Sequence, residues 1–245
     1  MMRCTRSSRG NGDRPRRPSV KPACSRRGDV EFDPRISVTE DPGVYRPAED
    51  SLLLLRAIRL DAGERFLEVG TGSGLLALHA ARRGRAVATD VNPEAVRLAR
   101  TNARLNGLPL EVVRTDLMAG LRGPFDVVAF NPPYLEGRSG DDLDRAWHGG
   151  RAGSEVSVRF LEDLRRILAL RGRAYLLLSR ANEAAKQAAE PFRVRVVSSQ
   201  KLFFEELQVL ELTLRDPSGA SLTSRPSGRS RASSGRRGPA RGSSR

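Results

Sequence analysis

The middle of the chain alternates between two patterns of apolar and polar residues. Short apolar runs, such as RFLEV at residues 65–69, predict buried strands, and longer stretches with apolar residues three and four positions apart predict amphipathic helices. The predicted strands are residues 65–69, 86–89, 110–114, 126–130, 174–179, 192–197 and 207–214. The predicted helices are residues 47–60, 73–83, 93–105, 154–170 and 181–189. This regular alternation indicates an α/β fold with a mostly parallel sheet.

Only a short connection joins the last two predicted strands, residues 192–197 and 207–214. A short connection suits an antiparallel pair, because a parallel crossover needs a dozen or more residues. We therefore expect a seven-stranded, mostly parallel sheet with an antiparallel strand at one edge and helices on both faces.

The positive charge of the chain is concentrated in its two ends. The formal net charge is +14, of which residues 1–29 carry +7 and residues 216–245 carry +6, so that residues 30–215 are nearly neutral at +1. Both ends are rich in Arg, Ser, Gly and Pro and poor in large apolar residues, which predicts disordered tails around one folded domain at 30–215. The tails either attract RNA and other polyanions or are dispensable.

Several functional classes are excluded by the distribution of reactive residues. Cys4 and Cys24 both lie in the first tail, and the only histidines are His79 and His148. The folded part therefore holds neither a Cys/His zinc site nor a catalytic cysteine, and we predict no metal. No apolar run is long enough to span a membrane, and no apolar segment of a secretory signal follows the basic start. We expect a cytoplasmic protein.

A glycine-rich turn follows the first predicted strand, as Glu68-Val-Gly70-Thr-Gly72-Ser-Gly74. Glycines at such a turn let the backbone approach a ligand closely. Leu75 stands where a dinucleotide-binding fingerprint places its third glycine, and Glu68 would repel a pyrophosphate. The turn therefore suits a ligand with an ammonium group, or it is simply a tight structural turn.

Two further acids end the second and third predicted strands. Asp90 is placed to bind both hydroxyls of a ribose, and Asp116 to accept a hydrogen bond from an adenine amino group. The alternatives are that Asp90 caps the next helix, for which Asn92 is better placed, and that Asp116 is an ordinary loop acid. Ligands of open α/β sheets bind at the carboxyl ends of the strands, where these acids would meet.

The fourth predicted strand ends in Asn131-Pro132-Pro133-Tyr134. The two prolines fix an extended turn, so that the Asn131 side-chain oxygen and the Pro132 carbonyl can face one NH2 group. The Tyr134 ring can pack against a flat substrate. The alternative, a purely structural turn, leaves this combination of residues unexplained.

The glycine turn and the Asn-Pro-Pro-Tyr stretch together resemble class I methyltransferases that act on exocyclic or amide nitrogens. Within these the chain resembles the HemK-like glutamine methyltransferases, and in particular their archaeal and eukaryotic branch, which modifies the Gly-Gly-Gln motif of translation release factors. The branch is marked by VYRPAEDS at residues 44–51 and by WHGGRAG at 147–153. The resemblance covers about residues 40–215. The loop at 135–146 is shorter and more charged than the family pattern, and the tails are not part of that pattern.

The resemblance implies a Rossmann-like fold, S-adenosylmethionine as cofactor, and a role for each matching residue. The cofactor residues implied are Ser51, Glu68 and Gly70 for the methionine end, Gly72 in the same turn, Asp90 for the ribose, Asp116 and the Leu117 backbone for the adenine, and Asn131. The catalytic residues implied are Asn131, Pro132 and Tyr134. The substrate-binding residues are Asn131, Pro132, Pro133, Tyr134, Gly149, Gly150 and Arg151. The glycines at 149–153 would form a narrow wall for a small-residue peptide, or else a flexible lid.

The resemblance predicts methyl transfer to the side-chain amide of a protein glutamine. An amide nitrogen is a poor nucleophile, and two acceptors on its hydrogens would orient its lone pair and support the charge that develops. Three alternatives remain: adenine-N6 methylation of a flipped base in DNA or RNA, methylation of a protein lysine, and a non-enzymatic cofactor- or RNA-binding scaffold. The near-neutral folded part argues against nucleic acid, which the tails alone would attract.

The resemblance also implies two protein partners and no membrane. One is the release factor that serves as substrate. The other is a small zinc-binding activator protein that forms a heterodimer with the methyltransferase by covering apolar surface, for which the strands at 86–89 and 110–114 are the candidate surfaces. The isolated chain should then be poorly soluble or weakly active.

Overall fold

The computed structural model describes residues 28, 30–133, 154–202 and 205–215, without the side chain of residue 202. Its strands are β1 Arg65–Val69, β2 Arg85–Asp90, β3 Leu110–Arg114, β4 Phe125–Phe130, β5 Leu168–Ser179, β6 Phe192–Leu202 and β7 Glu205–Leu214. Its helices are α1 Glu49–Ala57, α2 Leu75–Ala81, α3 Pro93–Leu105, α4 Glu155–Ile167 and α5 Glu183–Ala188. The predicted alternation of strands and helices is confirmed.

The seven strands form one sheet in the order β3-β2-β1-β4-β5-β7-β6. Strands β1 to β5 pair in parallel, whereas β7 pairs antiparallel with both β5 and β6. The predicted mostly parallel sheet with an antiparallel pairing at one edge is confirmed, with β6 as the edge strand and β7 one position further in. Strand order reverses between β1 and β4, which is the place where open α/β sheets bind their ligands.

Helices cover both faces of the sheet, as predicted. Phe66 of β1 packs in a hydrophobic cluster with apolar residues of α1 and α2. The next residue, Leu67, packs in a second cluster with Phe160 and Leu164 of α4. Successive side chains of a strand point to opposite faces, so a strand buried on both sides is apolar at nearly every position. This arrangement leaves the carboxyl ends of the strands as the place for polar chemistry.

Two predicted helix ends are wrong. Helix α1 ends at Ala57 rather than residue 60, because the Ile58 carbonyl instead accepts a hydrogen bond of 3.0 Å from the Val30 amide. Helix α4 ends at Ile167 rather than residue 170. Leu168 adopts extended backbone and pairs with Phe125 of β4, where its side chain is buried. In both places tertiary burial outweighs local helix propensity.

The predicted tails lie outside the described residues, so the domain limits at 30 and 215 remain predictions. Within the described part of the chain, no helix is long and apolar enough to cross a membrane. The same part contains no cluster of His, Cys, Asp and Glu that could hold a metal ion.

Candidate cofactor and substrate site

A cavity of about 420 Å³ opens at the carboxyl ends of β1, β2 and β4. It contains every predicted site residue that the structure describes. These are Ser51, Glu68, Gly70, Gly72, Asp90, Asp116, Leu117, Asn131, Pro132 and Pro133. Tyr134, Gly149, Gly150 and Arg151 lie outside the described residues. Residues predicted from five separate segments of the sequence therefore share one cavity wall.

The glycine turn after β1 is built from residues in the left-handed region. Gly70 has φ +62° and Gly72 has φ +53°. A Cβ atom on Gly70 would also meet the Phe130 ring at 3.2 Å. The Thr71 amide donates a hydrogen bond of 2.8 Å to the Thr89 carbonyl, which ties the turn to the end of β2. Both the backbone conformation and the close approach of Phe130 therefore require glycine at position 70.

Glu68 is buried below the turn, with 4% of its surface exposed. Its Oε2 accepts hydrogen bonds from the Thr71 hydroxyl at 2.6 Å and from the Ala77 amide at 2.9 Å. Burial raises the pKa of the Glu68 carboxyl to about 8, although these hydrogen bonds act in the opposite direction. A cation bound beside Glu68 would favour its ionised form, so the group is suited to an ammonium ligand.

Asp90 is held by the backbone on both of its oxygens. Oδ2 accepts from the Gly72 amide at 2.9 Å and Oδ1 from the Asn92 amide at 2.9 Å. Burial raises the pKa of the Asp90 carboxyl, and these bonds partly offset the effect. Asn92, not Asp90, caps α3, because its side chain accepts from the Glu94 amide. Asp90 thus contributes a carboxylate of fixed orientation to the cavity wall.

Asp116 and Leu117 form the wall beyond β3. Leu117 has a positive φ of +48°, and its carbonyl accepts a hydrogen bond of 3.0 Å from the Thr89 hydroxyl. Asp116 pairs with Arg159 of α4, and both side chains are about half exposed. Arg159, which also lines the cavity, was not predicted from the sequence. No local signal marks it, because it lies 43 positions from Asp116 in the middle of an amphipathic helix.

Asn131 lies at the end of β4 and is joined to Asp50 of α1. Its Nδ2 donates a hydrogen bond of 2.8 Å to Asp50 Oδ2, which also accepts from the Tyr45 hydroxyl at 2.9 Å. Asp50 Oδ1 accepts from the Ser51 amide at 2.6 Å and from the Ser51 hydroxyl at 3.2 Å. Among the residues that the structure describes, the buried Asn131 Oδ1 has no hydrogen-bond partner.

Asp50 and Tyr45 also line the cavity and were not predicted as site residues. Both belong to the stretch 44–51, in which only Ser51 was given a role, as a cofactor contact. The Ser51 side chain lines the cavity but is already bonded to Asp50. Asp50 is 2% exposed and must have hydrogen-bond donors around it, but this burial is a property of the fold that the sequence does not show.

Comparisons with known proteins agree with this geometry. A putative protein N5-glutamine methyltransferase of Methanocaldococcus jannaschii is 36% identical over 185 residues, which cover 71% of this chain and 94% of that protein. The methyltransferase HEMK2 of Mus musculus is 38% identical over 156 residues, covering 57% and 73%. The solved structure of the E. cuniculi Mtq2-Trm112 complex, responsible for methylation of the eRF1 translation termination factor, contains a chain with a TM-score of 0.58 and 26% identity, covering 71% and 99%.

The comparison with protein families agrees with these matches. The model of the methyltransferase small domain matches residues 35–203, which include all the described cavity residues named above. Membership of such a family implies S-adenosylmethionine as the methyl donor, in agreement with the expected cofactor. The chain belongs to the methyltransferase small domain family.

Proposed function

We propose that this protein transfers a methyl group from S-adenosylmethionine to the side-chain amide of a glutamine in a translation release factor. The observation that carries the proposal is the side-chain oxygen of Asn131, which has no hydrogen-bond partner among the described residues and is set before two prolines in the wall of the cavity. The names of the relatives point to the same substrate class: one is a putative protein N5-glutamine methyltransferase, and another acts on a translation termination factor.

The charged residues of the cavity suit the three parts of S-adenosylmethionine. Glu68 would hold the ammonium group, Asp90 the ribose hydroxyls and Asp116 the adenine amino group. The positive φ of Gly70 and the close packing of Phe130 let backbone, rather than a side chain, face the methionine end. When bound, the sulfonium supplies an electrophilic methyl group. The chain supplies binding, orientation and electrostatic support.

The acceptor end of the cavity suits an NH2 group that is attached to a planar carbon. Asn131 Oδ1 and the Pro132 carbonyl would each accept one hydrogen of the glutamine amide, which directs the nitrogen lone pair toward the methyl group. The same two oxygens would support the positive charge that develops on nitrogen. The nitrogen loses one proton to solvent after transfer, so the site needs no buried base. Tyr134 and the glycines at 149–153 are proposed to complete the substrate pocket.

The experiment that tests this proposal locates the methyl group. The full chain is incubated with S-adenosylmethionine and a release factor, and the products are fragmented in a mass spectrometer. The proposal predicts one added methyl group on the glutamine of the Gly-Gly-Gln motif. A methyl group on lysine, or on adenine when DNA and RNA are supplied instead, would show that glutamine is not the acceptor. The proposed cofactor site would be unaffected by that result.

We further propose that a small zinc-binding activator binds along β3 and that the complex is cytoplasmic. Strand β3 is the edge of the sheet, so its outer backbone groups are available for pairing. On one face of this edge Val113 is 37% exposed and Val87 of β2 is half-buried. We call Val87, Glu111 and Val113 the β2–β3 surface. The partner of the E. cuniculi relative, Trm112, supports a protein–protein interface of this kind.

A further inference from the structure

We propose that Asp50 is a positioning residue that fixes which way the side-chain amide of Asn131 faces. The inference rests on the proposed function, because it concerns how the acceptor amide of the substrate is recognised. Asn131 offers either an NH2 group or an oxygen to the cavity, depending on a rotation of half a turn. Only the oxygen can accept a hydrogen from the substrate nitrogen.

The hydrogen bonds around Asp50 decide this rotation. Asp50 Oδ2 accepts a hydrogen bond of 2.8 Å from Asn131 Nδ2, so the Asp50 carboxylate faces the donor end of the Asn131 amide. Asp50 has no donor of its own when ionised, and a flipped Asn131 would place two oxygens against each other. Since the bond to Asp50 uses Nδ2, the buried Oδ1 is the end left for the substrate.

Asp50 is itself held in place on both sides. The Ser51 amide donates to Oδ1 at 2.6 Å and the Tyr45 hydroxyl to Oδ2 at 2.9 Å. The carboxylate is 2% exposed, which limits its freedom to turn toward water. This fixed acceptor connects α1 to the end of β4, 81 positions apart in the chain.

The negative charge of Asp50 also acts on the substrate through Asn131. A hydrogen bond to a carboxylate polarises the donating amide and makes the oxygen at its other end a better acceptor. A stronger acceptor at Asn131 Oδ1 stabilises the positive charge that builds on the substrate nitrogen during transfer. Asp50 therefore affects the rate of transfer more than the binding of either substrate.

The first test is Asp50→Asn. An amide has one acceptor oxygen where the carboxylate has two, so it cannot accept from both the Ser51 amide and Asn131 Nδ2. We expect kcat to fall on the order of 100-fold, the effect of a misplaced catalytic contact, with the cofactor Kd changed less than about threefold. Glu49→Gln is the matched control, because it removes one negative charge from the same helical turn. Its kcat should stay within about twofold of the wild type, the effect of a small surface charge change.

The second test exchanges the two side chains. Asn131→Asp alone places two carboxylates within hydrogen-bond distance, and this repulsion should reduce kcat as strongly as Asp50→Asn. In the double variant Asp50→Asn/Asn131→Asp, the new amide donates to the new carboxylate, whose second oxygen accepts from the substrate. The double variant should be at least about tenfold faster than either single variant, the value of one restored hydrogen bond to a charged group. Wild-type kcat in Asp50→Asn, or no recovery in the double variant, overturns the proposal.

NMR on the unaltered chain tests the hydrogen bond between Asn131 and Asp50 directly, even if a variant fails to fold or no glutamine is methylated. The side-chain NH2 of Asn131 is assigned by NMR from its loss in Asn131→Ala. One of its protons should lie downfield of a free amide, as expected for a hydrogen bond to a carboxylate. A resonance at the position of a free amide would show that Asp50 does not hold Asn131, whatever the acceptor of the enzyme is.

Discussion

Asn131 Nδ2 lies 2.8 Å from Asp50 Oδ2, and this hydrogen bond joins the end of β4 to the first turn of α1. Asn131 lines the same cavity as the carboxylates of Glu68, Asp90 and Asp116. The residue proposed to hold the acceptor nitrogen is therefore positioned by a residue of α1 that lies 81 positions away in the chain. This arrangement makes the chemistry sensitive to small changes at Asn131 that leave the cofactor site intact.

Replacing Asn131 should separate catalysis from cofactor binding. Asn131→Ala removes the proposed acceptor and leaves Asp50 bonded to Tyr45 and Ser51. We expect kcat to fall about 100-fold or more, while the Kd of S-adenosylmethionine, measured by calorimetry, changes by less than about threefold. Transfer at the wild-type rate would remove Asn131 from the mechanism.

Glu68 should make the stability of the cofactor-free protein depend on pH. Its carboxyl has a pKa of about 8 when folded against 4.5 ordinarily, so between these values the folded state keeps a proton that the unfolded state has lost. The free energy of unfolding should therefore fall as pH rises from 5 to 8, by up to about 1.4 kcal/mol per pH unit from this group.

The matched variant for this effect is Glu68→Gln, which cannot lose a proton. Denaturant unfolding of both proteins across the same pH range gives the difference that Glu68 causes, since the other groups cancel. The curves should converge at low pH and separate as pH rises, with the wild type losing stability relative to the variant. Parallel curves would mean that Glu68 is already ionised in the folded protein.

Gly70 and Gly107 offer a direct comparison of backbone strain with ligand-site crowding. Both have φ +62°, but a Cβ on Gly70 meets the Phe130 ring at 3.2 Å, whereas nothing lies within 4 Å of one on Gly107. Each change to alanine should cost roughly 1 kcal/mol of stability for the left-handed backbone. Only Gly70→Ala should cost more and also weaken cofactor binding in a titration. Equal effects of the two variants on both quantities would argue against a role for the turn in binding.

Asp116 should contribute to cofactor affinity with little effect on stability. It is about half exposed and its partner Arg159 is too, so the pair adds less than about 1 kcal/mol to folding. Asp116→Asn should raise the Kd of S-adenosylmethionine about tenfold through one altered hydrogen bond. Asp163→Asn, which removes the partner of Arg166 on the same helix, is the control and should leave this Kd unchanged.

The β2–β3 surface should control association with the activator. Val113→Asp places a charge on the exposed edge of β3, and we expect it to abolish co-purification with the small partner without lowering the melting temperature of the isolated chain by more than a few degrees. Val194→Asp is the comparison, since Val194 is 45% exposed on β6 at the other edge of the sheet. Loss of the partner from both variants, or from neither, would locate the interface elsewhere.

Local sequence was enough to predict that four polar residues lie at or near the carboxyl ends of parallel strands. Glu68, Asp90, Asp116 and Asn131 each end or follow a parallel strand, and parallel strands bring their carboxyl ends to one edge. The contacts of Asp50 and Arg159 were not predictable in this way. Each lies on a helix, and its partner is 81 or 43 positions away, so the contact depends on how the helix packs on the sheet.

The C-terminal ends of α1 and α4 also depend on packing that the local sequence does not show. The residues around Leu168 favour continuation of α4 locally, yet Leu168 becomes extended because its side chain fills space against Phe125. That space exists only once β4 and α4 have packed. Helix propensity and apolar periodicity describe a single element, whereas the conformation of Leu168 depends on the contact between two elements.

Methyl transfer to a glutamine amide is measured with labelled S-adenosylmethionine. The acceptors are a release factor, the same factor with its Gly-Gly-Gln glutamine changed to alanine, bulk DNA and bulk RNA, each with and without the small zinc-binding partner. We predict label on the intact factor, stronger with the partner and absent from the alanine variant. Label on the alanine variant, or on nucleic acid alone, would show that the glutamine of the Gly-Gly-Gln motif is not the acceptor.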